Sequence, residues 1–279
     1  MVSVKVDYTE PDLAVLKEEG FVADMHFHSE HSHDCQTPVK DIIKLARRRG
    51  IHVALTDHNK VSGVAESLKY KDAPIIPGVE LCSREGKEVI TYFADAQQLL
   101  DFYDRRVKPW LKNRNAGIRG SRTDIPMRSL IDMLAAEDCI VHLPHPFGPQ
   151  PRRSYPFFTR KTRRGFLKHV HSIEVFNAAL TRRANLSALG WAVQLGKGIA
   201  GGSDGHTLSA LGKGVTVSKA TNISGHLKAI KAGTVHVAGQ ELKQRERARL
   251  LQNVFTNKLR NGLSHKVTFS LPLQRYREG

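Results

Sequence analysis

Four histidines lie within eight positions near the start of the sequence, in the stretch from Asp24 to Asp34. His26 and His28 are two residues apart, and such residues point to the same side of a β-strand. Two imidazoles placed in this way can bind one metal ion. The same spacing also fits a half-buried strand with one polar face, so the stretch alone does not decide between the two interpretations.

Other residues that can bind a metal ion stand at the ends of apolar segments further along the chain. They are His58, Glu80, His145, Asp204 and His206. Imidazole and carboxylate ligands together are typical of zinc, manganese or iron sites and not of calcium sites. Each residue alone has a structural explanation, such as an Asx-turn at Asp204. Their recurrence at the ends of predicted strands indicates one shared site.

The elements that must position these residues alternate along the chain. Helical spacing predicts helices over 37–49, 97–111, 127–136, 181–195, 223–232 and 241–259, and apolar runs predict strands over 51–55, 74–81, 88–94, 139–143, 172–177, 198–200 and 235–237. This alternation predicts a parallel α/β barrel of about seven units, with its site at the carboxyl ends of the strands. We expect the barrel to span residues 1–238, and a basic C-terminal helix and tail over 239–279 to pack on it.

Composition narrows the class of protein. The 279 residues are 40% hydrophobic, which is enough for a core, and they carry a formal net charge of +16. This charge favours a polyanionic partner, with nucleic acid ahead of an anionic membrane. We expect a cytoplasmic protein without a membrane segment, because no apolar run approaches ~20 residues and the N-terminus lacks a signal-peptide core. Three cysteines without a CxxC pair argue against a disulfide framework or a zinc ribbon.

The combined motifs resemble the polymerase and histidinol phosphatase (PHP) superfamily. The resemblance rests on Asp-x-His-x-His at 24–28 with Ser32-His33, Thr-Asp-His-Asn at 56–59, Gly-Val-Glu at 78–80, His145-Pro146, Ile-Glu-Val-Phe-Asn at 173–177 and Gly-Ser-Asp-Gly-His at 202–206. It implies a distorted (β/α)7 TIM-like barrel with a C-terminal helical extension. It also implies a hydrolase, a metal-dependent phosphoesterase that uses two or three divalent ions of manganese, zinc or iron.

The resemblance further implies a role for each predicted ligand. The first ion would be bound by His26, His28, Glu80 and Asp204, the second by Glu80 and His145, and the third by His33, His58 and His206. Glu80, Asp204 and His206 would be the catalytic residues, with a metal-activated water as the nucleophile. One departure concerns the second ion, because Ile90 stands where related proteins often have a histidine. Either that ion binds weakly, or His142 or a water molecule replaces the missing ligand.

Basic residues after the strands indicate how a phosphate would be bound. Arg152 and Arg153 follow the strand that ends at His145, in a segment that interleaves arginines with aromatic residues. Such a segment can bind phosphates and stack on bases, or it can be a solvated loop whose aromatic residues fold onto the barrel. The resemblance implies that Asn177 and Arg182 also contact the substrate phosphate.

The net charge therefore favours a nucleic acid or nucleotide as the substrate, with 5′-to-3′ exonuclease activity as one form of the reaction. One alternative is a phosphomonoesterase for a small metabolite such as histidinol phosphate. Another is a nucleic-acid-binding accessory protein with a degenerate metal site, which the isoleucine at position 90 keeps open.

Overall fold

One ten-stranded sheet dominates the computed structural model, which describes residues 5–111, 122–149, 152–248, 252 and 256. Its strands are β1 (Lys5–Asp7), β2 (Phe21–Phe27), β3 (His52–Leu55), β4 (Ile75–Cys82), β5 (Glu88–Tyr92), β6 (Ile140–Leu143), β7 (Ser172–Asn177), β8 (Gly198–Gly202), β9 (Gly214–Ser218) and β10 (His236–Gly239).

Helices connect most of these strands. The α-helices up to residue 239 of the described residues are α1 (Leu13–Glu19), α2 (Val39–Arg49), α3 (Ser62–Ser67), α4 (Ala96–Phe102), α5 (Met127–Ala135), α6 (Tyr155–Phe158), α7 (Arg182–Leu195) and α8 (Ile223–Ala232). A π-helical turn (Tyr103–Val107) and a 3-10 turn (Lys108–Trp110) continue α4, and further 3-10 segments cover Lys161–His169 and Leu208–Ala210. None of these described helices has the length and apolarity needed to cross a membrane.

The sheet curls back on itself to form the expected distorted barrel. Its strand order is β1-β10-β9-β2-β3-β4-β5-β6-β7-β8. Strands β2 to β4 are parallel, as are β6 to β8. A parallel bridge between Phe27 and Gly205 brings the end of β8 beside β2. The carboxyl ends of the parallel strands therefore meet at one rim, which confirms the fold class predicted from the sequence.

Two kinds of residue pattern produce this architecture. Every residue of β2 and β4 is buried, as expected for strands that are covered on both faces. Helix α2 buries Ile42, Ile43 and Ala46 at helical spacing against the outside of the sheet, and Gly50 ends it with a left-handed φ of 65°. The strand ends thus form the rim, and the amphipathic helices pack against the outside of the sheet.

The structure differs from the predicted elements in three places. Strand β5 is antiparallel to both β4 and β6, because the hairpin over 83–87 is too short for a crossover between parallel strands. Strands β1 and β9 and helix α1 were not predicted, and α1 buries only Leu16, so it lacks a clear apolar stripe. Residues 244–248 of the predicted helix over 241–259 are helical, but nine of its nineteen residues lie outside the described residues, so the domain boundary at 239 stays a prediction.

Candidate metal centre

Buried imidazoles and carboxylates meet at the rim where the parallel strands end. Seven of the eight predicted ligands contribute to this cluster: His26, His28, His58, Glu80, His145, Asp204 and His206. The close approach of β8 to β2 depends on Gly202, because a Cβ there would lie 2.5 Å from the backbone nitrogen of His26. Glycine at this position thus lets the loop after β8 place Asp204 beside the histidines of β2.

The first group of donor atoms has the spacing of ligands around one ion. His26 Nε2 lies 3.2 Å from His28 Nε2, and Asp204 Oδ1 lies 3.5 Å and 3.4 Å from these two nitrogens. Glu80 Oε2 is 3.7 Å from each nitrogen. Two ligand atoms in a tetrahedral zinc site with bonds near 2.1 Å lie about 3.4 Å apart. The structure thus brings together the four side chains of the first predicted ligand set.

The second group contains Glu80 and His145, whose Oε1 and Nε2 atoms are 2.9 Å apart. Ile90 is fully buried and pairs through its backbone with Glu80, and its hydrocarbon side chain has no atom that can bind a metal ion. His142 is in none of the donor groups of the described residues, and its Nδ1 lies 2.8 Å from Ser172 Oγ. A carboxylate that sequence reasoning did not single out, Glu88 at the start of β5, lies next to this pair, with Oε2 3.6 Å from His145 Nε2.

The third group contains Asp34, which sequence reasoning also missed. The donor atoms of His28, Asp34, His58 and His206 lie within 4.8 Å of one another. Asp34 is fully buried, and its Oδ2 and Oδ1 lie 3.4 Å from His58 Nε2 and 3.5 Å from His206 Nε2. The predicted ligand His33 is partly exposed, with Nε2 3.8 Å from Asp34 Oδ2, so it lies at the edge of the group.

A further layer of hydrogen bonds orients these side chains. Glu174 Oε1 lies 2.9 Å from His26 Nδ1, which leaves the opposite ring nitrogen of His26 facing the donor group. Glu174 Oε2 accepts the backbone N–H of His145, a residue with a left-handed φ of 28°. Asn177 Nδ2 donates to Glu174 Oε2 and to Asp204 Oδ2. Carboxylate partners of this kind fix the tautomer and the orientation of metal-binding histidines.

Two histidines of the cluster that lie close together, His28 and His58, have pKa values shifted in opposite directions. Burial and the nearby imidazoles of His206 and His58 lower the pKa of His28 to about 3. Burial opposes the charged form of His58 as well, but the carboxylates of Asp34 and Glu80 outweigh it and raise its pKa to about 10. His28 is thus neutral near pH 7, whereas His58 holds a proton that a metal ion must displace.

The predicted phosphate-binding residues occupy different positions relative to the cluster. Arg152 reaches into it, with Nη2 3.3 Å from His58 Nε2 and Nε 3.5 Å from Glu88 Oε1. Arg153 stacks over the Phe147 ring, and Asn177 is engaged as described above. Arg182 pairs with Glu241 and does not reach the donor atoms through any described contact. The phosphate-binding roles stay predictions.

The aromatic residues of the basic segment after β6 pack inward. Phe157 and Phe158 are buried, and Arg163 covers the Phe157 ring at 4.0 Å from its centroid. The exposed residues of the segment include three basic ones, Arg160, Lys161 and Arg164. Of the two interpretations of this segment, the structure therefore supports a basic surface over aromatic residues folded onto the barrel, and not a stacking platform built from these two phenylalanines.

Comparison with known families assigns the chain. The family model of the PHP domain matches residues 24–119, and a model described as PHP-associated matches residues 182–235. The chain therefore contains a PHP domain. It is a metal-dependent phosphoesterase of the PHP type, which confirms the family and the enzyme class expected from the sequence.

Individual relatives of this PHP protein agree with that assignment. An uncharacterised protein of Methanocaldococcus jannaschii is 28% identical over 191 residues, which are 68% of this chain and 67% of the relative. The lesion-specific endonuclease Q of Pyrococcus furiosus has a TM-score of 0.60 at 17% identity, over 86% of this chain and 71% of that chain. The structure of endonuclease Q in complex with a 27-mer duplex substrate that has an abasic lesion at the active site has a TM-score of 0.58 at 17% identity. The match covers 86% of this chain and 72% of that chain. At such identities the likeness shows the fold alone.

The donor atoms fit the divalent ions that a PHP phosphoesterase requires. Asp204 Oδ1, Glu88 Oε2 and His206 Nε2 are buried and have no hydrogen-bond partner among the described residues. Such atoms cost free energy unless something replaces the water that they have lost. All three face the cluster of imidazoles and carboxylates, so divalent cations are the ligands that this chemistry favours.

Proposed function

We propose that this PHP protein hydrolyses phosphodiester bonds of nucleic acid. The observation that carries the proposal is the position of Arg152, whose guanidinium lies among the metal-binding side chains while its segment continues into exposed basic residues. This arrangement connects the buried donor cluster, through Arg152, to a segment of the chain that exposes basic side chains. The formal net charge of +16 would attract a polyanion along its length, whereas a small phosphate ester needs no extended positive surface. Endonuclease Q, which shares the fold, was crystallised with a DNA substrate.

We propose different roles for the residues of the centre. When bound, divalent ions supply Lewis acidity for the attack of water on a phosphate ester. We assign the ligands as His26, His28, Glu80 and Asp204 for a first ion, Glu80 and His145 for a second, and His58, His206 and Asp34 for a third, with His33 next to the last group. The guanidinium of Arg152 presents donors in a planar fork that matches phosphate oxygens, so it would hold the scissile phosphate against the cluster.

Cleavage of labelled oligonucleotides tests the proposal. We expect the wild-type protein with Mn²⁺ to cleave 5′-labelled DNA or RNA, and Asp204→Asn to lose at least about a hundredfold in rate, since removal of one electrostatic contact to the reaction typically costs that much. Asp138→Asn makes the same chemical change at an exposed position and should leave the rate unchanged. Mononucleotides released from the 5′ end would identify a 5′-to-3′ exonuclease, and internal fragments would identify an endonuclease.

Two other results would contradict the proposal. Turnover of histidinol phosphate or another small ester, without cleavage of any oligonucleotide, would identify a phosphomonoesterase. Salt-sensitive binding of oligonucleotides without metal-dependent cleavage would identify an accessory protein instead. Binding that weakens steeply between 50 and 200 mM salt is expected of a nucleic-acid enzyme, because each phosphate contact exchanges with ions.

A further inference from the structure

We propose that Glu88 is a metal ligand that completes the donor group of Glu80 and His145. This inference rests on the metal centre of the proposed function, but it is independent of which phosphate ester is the substrate. Glu88 is the first residue of β5, and its backbone pairs with Cys82 on β4. The hairpin between these strands thus places a second carboxylate beside Glu80, on the strand that lies between β4 and β6.

The position of one carboxylate oxygen supports a ligand role. Glu88 is only 3% exposed, and its Oε2 has no hydrogen-bond partner among the described residues. This oxygen lies 3.6 Å from His145 Nε2, which is itself 2.9 Å from Glu80 Oε1. Ligand atoms around one ion with bonds near 2.1 Å lie about 3.0 to 3.4 Å apart, so Glu88 Oε2 needs to approach His145 Nε2 by only a few tenths of an ångström to share an ion with it. Ligand atoms of Glu88 and Glu80 also lie within 4.8 Å of each other, in a group that includes His58. Ile90, two residues further along β5, presents only hydrocarbon to the site.

A purely structural explanation would make Glu88 the counter-ion of Arg152. The guanidinium Nε lies 3.5 Å from the other oxygen, Glu88 Oε1, which is also 3.8 Å from His58 Nδ1. Arg152 therefore accounts for Oε1 and leaves Oε2 to face His145. A cation next to Oε2 would supply the partner that this buried oxygen lacks.

Metal stoichiometry tests the proposal without any activity assay. The purified protein is stripped with EDTA and dialysed against buffered Mn²⁺ or Zn²⁺, and the bound equivalents and their affinities are measured by mass spectrometry of the metal and by titration calorimetry. We expect Glu88→Gln to bind one equivalent fewer at the free metal concentration that saturates the wild type, or to bind its weakest ion at least about tenfold less tightly. Glu30→Gln, at an exposed position on the neighbouring loop, should match the wild type.

Two further variants separate the ligand role from the counter-ion role. Arg152→Met should bind the full number of metal equivalents. If Glu88 were only a counter-ion, Glu88→Gln and Arg152→Met should instead lose metal binding to the same extent. Glu88→His supplies a different donor atom and should restore the lost equivalent, which also decides the question if Glu88→Gln does not fold. Wild-type stoichiometry and affinity in Glu88→Gln would overturn this inference alone, whereas a wild-type protein that binds no metal would overturn the proposed function with it.

Discussion

Glu174 connects two of the predicted metal-binding histidines, so its replacement by glutamine should weaken metal binding although no predicted ligand changes. One oxygen lies 2.9 Å from His26 Nδ1, and the other accepts N–H groups of the His145 backbone at 2.6 Å and of Asn177 at 3.0 Å. A glutamine keeps one acceptor oxygen and replaces the other with an NH2 group. Either His26 loses the partner that fixes its tautomer, or the backbone of His145 loses its acceptor.

The expected size of the effect follows from these contacts. A hydrogen bond to a charged group contributes about 1.5–3 kcal/mol, and a buried donor left without an acceptor costs a similar amount. We therefore expect Glu174→Gln to lower the free energy of unfolding of the metal-free protein by about 2–4 kcal/mol. The loss of an orienting carboxylate behind a metal-bound histidine typically lowers metal affinity by about 10–100-fold.

Two measurements on the same samples check this prediction. Urea denaturation of EDTA-treated protein gives the free energy of unfolding, and competition with a fluorescent chelator gives the metal affinity. Glu30→Gln makes the same chemical change on the exposed side of the rim and should leave both values unchanged. A Glu174→Gln protein that loses stability but binds metal as tightly as the wild type would refute the orienting role, because a general packing defect would then explain the result.

Three further predictions concern other side chains of the centre. The pKa of His58 in the metal-free protein is raised from 6.5 to about 10, so protonated His58 contributes its full stabilisation below pH 6.5 and loses it as the pH rises toward 10. The melting temperature of EDTA-treated protein should therefore fall between these two pH values. The fall should be smaller in His58→Gln. Asp24 accepts hydrogen bonds from Ser203 Oγ at 2.6 Å, Ser203 N at 2.9 Å and Gly212 N at 2.8 Å. Asp24→Asn should therefore lower the free energy of unfolding, measured by urea denaturation, by about 3 kcal/mol. A loss below about 1 kcal/mol would contradict this prediction. Arg152→Met removes a competing cation, so calorimetry should show tighter metal binding while oligonucleotide cleavage slows; unchanged metal affinity would contradict the prediction.

Most of the side chains in the donor cluster could be predicted from the sequence because they lie at the ends of strands. His26 and His28 share a strand face by the two-residue period, and the apolar runs before His145 and Asp204 mark where their strands stop. Parallel strands in a barrel bring such ends to one rim regardless of their separation along the chain. The distance of 3.5 Å between His26 Nε2 and Asp204 Oδ1 follows from this topology.

The residues that sequence reasoning missed lie where the period of a strand gives no guidance. His33 and Asp34 are neighbours in a loop, and no period tells which of the two side chains points inward; the structure buries Asp34 and leaves His33 partly exposed. Glu88 begins a strand whose antiparallel direction was not expected, so its side chain was not assigned to the rim. In both cases loop and hairpin geometry decides the direction of the side chain, and that geometry depends on contacts between distant segments.

The position of the aromatic residues limits how a nucleic acid could be held. With Phe157 and Phe158 buried, the segment after β6 offers charge but little free ring surface, and Arg182 is engaged with Glu241 and the Tyr8 ring. Stacking would give affinity that survives high salt, whereas contacts from arginine and lysine to phosphate are lost as salt rises. Recognition through the phosphate backbone carries little sequence information. We therefore expect the affinity for oligonucleotides to depend strongly on salt and weakly on base sequence. Any selectivity would then arise at the donor cluster, where we propose that Arg152 binds the scissile phosphate.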